Sequence, residues 1–141
     1  MQVLLFAHAR DNTLRPTRIL ANIVGGMLFV QVILGGSAVL LNFPISYHIV
    51  WGVATFAVLI VTAVLFARSY GSKATVFRIS LATIVDFIIQ GALGFLAFNS
   101  DTVVVVHLTN AFVLAVLATN MIAIADRPVV AQVAAAKPPG M

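Results

Sequence analysis

Four apolar stretches, at 19–41, 45–67, 79–98 and 102–125, are each long enough to cross the ~30 Å hydrocarbon core of a bilayer, which takes about 20 helical residues. In lipid every backbone N–H and C=O must find its partner within the protein, so segments of this length and polarity fold as transmembrane helices. With 62% of its 141 residues hydrophobic and only 9% charged, the chain lies far from the balance of a soluble domain. The expected fold is an all-α integral membrane four-helix bundle. Nucleic acid is excluded as a partner despite the net charge of +4, because the basic residues are spread between the apolar spans rather than gathered on one face. The chain has no cysteine, which removes disulfides, iron–sulfur clusters and thiolate-bound metals from consideration.

The connections organise the spans. Asn42-Phe43-Pro44 joins the first pair and Asn99-Ser100-Asp101 the second, with Asp101 the expected N-cap of the fourth helix. Loops this short make antiparallel neighbours, so the bundle reads as two helical hairpins linked by the polar segment 68–78. Arg10, Arg15, Arg18, Arg68, Lys73, Arg78, Arg127 and Lys137 all fall on one side of this topology. The positive-inside rule makes that side cytoplasmic, with both termini there, and the cell membrane is the expected location. Residues 1–18 are expected to form a cytoplasmic or interfacial segment; Met1 to Arg10 lack the basic start and cleavage site of a signal peptide. Residues 19–126 form the bundle, and 127–141, rich in Ala and Pro, a flexible cytoplasmic tail.

The hairpins are related. Shifting the sequence by 59 positions without a gap lays Gln31 on Gln90, Gly35 on Gly94, His48 on His107 and Arg68 on Arg127. Each half contains an even number of spans, so the repeat is parallel and its pseudo-twofold axis runs along the membrane normal. Such an axis places His48 and His107 at one depth, about one turn inside the outer ends of the second and fourth helices.

Imidazoles inside a membrane are costly unless paired or put to use. Two facing each other across an axis can clamp one metal centre, and bis-histidine ligation of a haem b iron within a four-helix bundle meets that requirement. Zinc or copper would call for further ligands that the chain does not offer at this depth. The competing expectation is that both histidines are interfacial residues, like Tyr47 and Trp51 beside them. Gly35, Gly94 and the other span glycines (Gly25, Gly26, Gly36, Gly91) let a macrocycle or a neighbouring helix come close, and Gln31 and Gln90 are expected to bond within the bundle or orient the site. Asp86, near the middle of the third span, has Met27 as its repeat counterpart and is expected to bond to Gln31, Asn22 or a backbone carbonyl; a proton relay or a quinol contact is the alternative.

With the repeat, glycines and histidines in place, the chain resembles one half of the haem A synthase family, whose members are built from four-helix haem-binding halves. Val30-Gln31-Val32-Ile33-Leu34-Gly35-Gly36 resembles that family's first-span motif, and His48 and His107 match its haem-ligating positions. The resemblance implies that those two histidines ligate haem b or a substrate haem. Ile45 and Val39 stand where the family has an acidic residue and an arginine, and the chain has no glutamate. Haem binding without synthase chemistry is therefore the expectation, with Ser46, Tyr47, Asn99 and Ser100 as the groups that would meet haem propionates. The functional expectation is a small cytochrome subunit for electron transfer or stabilisation in a larger respiratory or oxidative membrane complex, or within a homo-oligomer, with quinone a conceivable partner. A single-module haem A synthase-like enzyme and a cofactor-free structural subunit are the alternatives.

Overall fold

The computed structural model describes the backbone of residues 2–72 and 74–126, and the side chains of that range from residue 15 onward. It contains four helices: α1 (Gln2–Leu40), α2 (Ile45–Tyr70), α3 (Thr75–Ala97) and α4 (Asp101–Ala125). All four are long and apolar enough to cross a membrane, so the protein is an all-α, multi-pass membrane bundle. The expected tail at 127–141 and the side chains of the first segment lie outside the described residues.

Several boundaries differ from the sequence reading: α2 runs on to Tyr70 and α3 starts at Thr75, so the expected polar segment 68–78 shortens to 71–74. Helix α1 does not begin after Arg18 but runs back through Pro16, and its apolar span is Arg15–Leu40. The reason is packing: Thr17 is only 2% exposed and its hydroxyl lies 3.5 Å from the Tyr70 hydroxyl, so the helix is already engaged with its neighbours there. At the start of α4 the N-cap is Ser100, with no side-chain capping bond, and Asp101 is the first helical residue. In that first turn its carboxylate faces the positive end of the helix dipole.

The chain stops and turns where its residues require it. Helix α1 ends at Leu40, and two residues on Asn42 has a left-handed φ of 52°, a conformation asparagine tolerates better than most residues. The Phe43 N–H then bonds back to the Ser37 carbonyl at 3.2 Å. Helix α2 ends at Gly71, where φ is 89° and the N–H reaches the Ala67 carbonyl at 3.0 Å. A side chain at this position would be strained.

Each helix packs against two others in the cyclic order α1, α2, α3, α4, while the diagonal pairs α1/α3 and α2/α4 make no close backbone contact among the described residues. Helices α2 and α4 therefore face each other across the interior. Buried positions recur every three or four residues: Thr17, Ala21, Val24 and Leu28 on α1; Val76, Ser80, Thr83 and Asp86 on α3; Leu114, Ala118, Met121 and Ala125 on α4. On α2 they run from Gly52 and Thr55 through Leu59 and Thr62 to Phe66. This is the spacing of side chains interlocking along a helical bundle. The buried hydroxyls are satisfied within their own helices: Thr55, Thr62 and Thr83 donate to the carbonyls of Trp51, Val58 and Ile79, each at 2.8 Å, and Ser80 to Phe77 at 2.7 Å. A hydroxyl bonded this way packs almost as an apolar group.

These buried rows occupy only half of the bundle. They stop at Leu28 on α1 and Asp86 on α3, and α4 has none before Leu114. All lie toward the end carrying Arg15, Arg68 and Arg78, and the other half is where the two histidines stand.

Candidate functional site: a histidine pair in an apolar cavity

At the end away from the arginines the four helices line a half-open cavity of about 590 Å³. That volume falls within the range of about 300–1,000 Å³ common to small-molecule and cofactor sites. Leu28, Phe56, Phe87 and Leu114 line it at the level where the packed core ends, with the Phe56 and Phe87 rings stacked 5.6 Å apart. Its polar lining comes from Gln31, His48, Gln90 and His107.

The structure brings these four together in the register that the repeat implies. His48 Nδ1 lies 3.1 Å from the Gln31 carbonyl oxygen, and His107 Nδ1 lies 3.1 Å from the Gln90 carbonyl oxygen. A carbonyl can only accept, so each Nδ1 carries the proton and donates it. Each Nε2 is then a lone pair, and it accepts from the glutamine side-chain amide: Gln31 Nε2 to His48 Nε2 at 3.3 Å, Gln90 Nε2 to His107 Nε2 at 3.4 Å. Fixing one ring nitrogen against a backbone carbonyl while presenting the other as a lone pair is how metal-binding histidines are oriented. The ring centres are 6.4 Å apart, with the planes at 78°.

Glycine makes this seating possible at two positions. A Cβ on Gly35 would stand 2.9 Å from His48 Cε1, and one on Gly94 would stand 3.1 Å from His107 Cε1. These glycines accommodate the imidazole rings rather than a passing helix backbone. Gly36 and Gly91 also line the cavity, but a Cβ there would meet nothing within 4 Å. Gly25 instead packs against the Ile122 side chain, outside the site. His48 is the fourth residue of α2 and His107 the seventh of α4, so α4 extends beyond its ring by almost one turn more than α2 does.

One sequence expectation changes, and Trp51, Gly52 and Asn110 take roles to which the sequence did not point. Trp51 is half-buried and donates its indole N–H to the Met27 carbonyl at 2.8 Å, so it ties α2 to α1. Asp86 is 9% exposed and bonds to neither Gln31 nor Asn22: Asn22 donates to the Arg18 carbonyl, Gln31 serves His48, and Asp86 Oδ2 has no hydrogen-bond partner. Gly52 and Asn110 join the site although the sequence did not point to them. Gly52 leaves room for the Gln31 amide, where a Cβ would come within 2.9 Å of Nε2, and Asn110 Nδ2 donates to Gln90 Oε1 at 2.9 Å. At the 59-residue offset their counterparts are Ala111 and Trp51, so a search for matching residues passes over both.

Among the described residues no group of three or more His, Cys, Asp or Glu gathers to hold a bare metal ion. The donor set is two imidazole nitrogens, which suits a centre that brings its remaining ligands with it. Two imidazole nitrogens each about 2 Å from a shared metal would put their ring centres roughly 6 Å apart, close to the 6.4 Å observed. Comparison with known proteins returns no match: no family model, no curated protein and no solved structure aligns with this chain.

Proposed function

We propose that this protein is a small membrane cytochrome that holds one haem b between His48 and His107, for electron transfer or stabilisation beside other subunits of a larger membrane complex. The observation that carries the reading is a pair of imidazoles with ring centres 6.4 Å apart, each with its Nδ1 proton held by a backbone carbonyl, in an apolar cavity of cofactor size. The basic residues at the opposite end favour a cytoplasmic placement of both termini in a cell membrane, which sets the histidines near the outer face.

His48 and His107 would hold the haem, which would supply one-electron transfer chemistry. The chain's own part is to bind, orient and exclude water. The Gln31 and Gln90 carbonyls hold the Nδ1 protons and so leave Nε2 as the ring nitrogen with the lone pair. Gly35 and Gly94 let the rings lie against α1 and α3. The packed rows from Leu28, Thr55 and Leu114 downward close the cavity toward the basic end. The resemblance to haem A synthases supports the ligand assignment, and a two-histidine set supports electron transfer above oxidation of a haem substrate.

One observation favours a second reading, a structural subunit without a cofactor: each Nε2 already accepts an amide N–H, so neither imidazole needs a metal to satisfy it. An absorption spectrum separates the two. The protein purified in detergent from haem-replete cells is expected to show a Soret band that His48→Ala and His107→Ala diminish while membrane insertion is kept. No Soret band in the wild-type protein would end the haem reading.

A further inference from the structure

The hairpins match at the histidines and differ in how each glutamine is held. In the second, Gln90 is tied at both ends of its amide: Nε2 donates to the His107 backbone carbonyl at 3.0 Å and Oε1 accepts from Asn110 at 2.9 Å. In the first, Gln31 Oε1 is buried without a partner, and the amide makes only its 3.3 Å bond to His48. Sequence explains the contrast. Trp51 occupies the repeat position of Asn110, but its N–H is committed to the Met27 carbonyl. Gly52 occupies the position of Ala111, leaving the Gln31 amide room that a methyl group would take.

Either glutamine must swing aside before its histidine nitrogen can bind a metal, because the amide nitrogen sits in front of it. Moving Gln31 breaks one long hydrogen bond and releases an unsatisfied oxygen. Moving Gln90 breaks three, and would leave Asn110 without the partner it has now. Net costs of about 1 kcal/mol per bond make this difference tenfold or more.

We infer that the two histidines are unequal arms of the site: His48 opens and captures the metal centre, while Asn110 latches Gln90 across His107 and so governs whether the second axial position fills. Asn110 is thus a positioning residue. The latched state, with Gln90 held over His107, leaves one exchangeable coordination face on the His107 side, open to a small anionic ligand. This rests on the haem reading for its ligand and on the wild-type hydrogen bonds for its asymmetry, and the two parts are tested separately.

Ferric haem titrations followed by absorption and electron paramagnetic resonance test the first. His48→Ala is expected to weaken binding at least tenfold more than His107→Ala. Asn110→Ala is expected to raise the six-coordinate low-spin fraction and to slow cyanide binding about tenfold, the order of one lost hydrogen bond. Equal losses from the two histidine variants, or an unchanged spin state in Asn110→Ala, overturns the inference while leaving haem binding intact. Side-chain amide exchange in the haem-free wild-type protein tests the latch itself. Slower exchange at Gln90 than at Gln31 supports it, and equal exchange overturns it. A wild-type protein that takes up no haem refutes the haem reading, and with it the capture step, even when the amides differ.

Discussion

The two ends of this bundle have almost the same helical scaffold and opposite interiors. Toward the arginines, Leu59, Phe66, Val24 and Met121 are fully buried and interlock with Ala118 and Ala125. Toward the histidines no side chain is fully buried, and the helices surround a cavity. Lipid is as apolar as leucine, so burial brings helices little hydrophobic gain in a membrane, and close packing must supply the association. The closed end is therefore what holds the helices, and it frees the other end to keep a cavity open. The gap is one that a well-packed protein would otherwise close.

The largest expected effect tests that division directly. Phe66→Ala empties a fully buried site at the closed end, and is expected to cost about 3–5 kcal/mol, the range for removing a buried aromatic ring. Thermal unfolding in detergent measures it. A loss under about 1 kcal/mol would mean that the closed end does not carry the bundle.

A smaller effect of opposite sign is expected at the boundary between the ends. Asp86 sits at the last buried level of α3 with an unsatisfied carboxyl oxygen, where its counterpart in the first hairpin is Met27. Putting methionine there restores the apolar pattern of the other half. Asp86→Met is expected to raise stability by about 1–3 kcal/mol, the cost of leaving a buried polar group unpaired. The same melting experiment reads it, and a fall in midpoint would show that Asp86 is satisfied in the membrane by a group outside this chain.

The sequence made different parts of this picture legible for different physical reasons. Helix number and pairing follow from apolar length and from two short loops, so the four spans were readable to within a few residues, apart from the backward extension of α1. That extension was hidden because Arg15-Pro16 resembles a helix start, and only the contact of Thr17 with α2 shows the helix continuing. That Gln31, Gln90, His48 and His107 form one set was legible because the same rare residues recur at one offset, but which glutamine holds which histidine emerges only from the structure. The roles of Asn110, Gly52 and Trp51 were not legible, since they arise where the repeats disagree, and periodicity carries no information about a mismatch. The site's symmetry is written in the repeat, and its asymmetry emerges only in three dimensions.

The finest comparison lies between adjacent glycines on α1. Gly35 and Gly36 are adjacent and both line the cavity, and at the 59-residue offset Gly35 meets Gly94 while Gly36 meets Phe95. Only Gly35 has an imidazole against it: a methyl group there would stand 2.9 Å from His48 Cε1 and 3.1 Å from Nδ1, close enough to push the ring off the Gln31 carbonyl. At Gly36 a methyl group meets open space. Gly35→Ala is expected to cost about 1–2 kcal/mol through this overpacking and to reduce the Soret absorption together with it. Gly36→Ala is expected to stay within about 0.5 kcal/mol of the wild type, the usual scale of a change that disturbs no contact. Melting curves of the two variants side by side measure the difference. Equal effects would show that the imidazole does not depend on Gly35 for its seat, and the glycine would revert to a helix-packing role. A loss confined to Gly35→Ala would tie the ligand geometry to one missing methyl group on the facing helix.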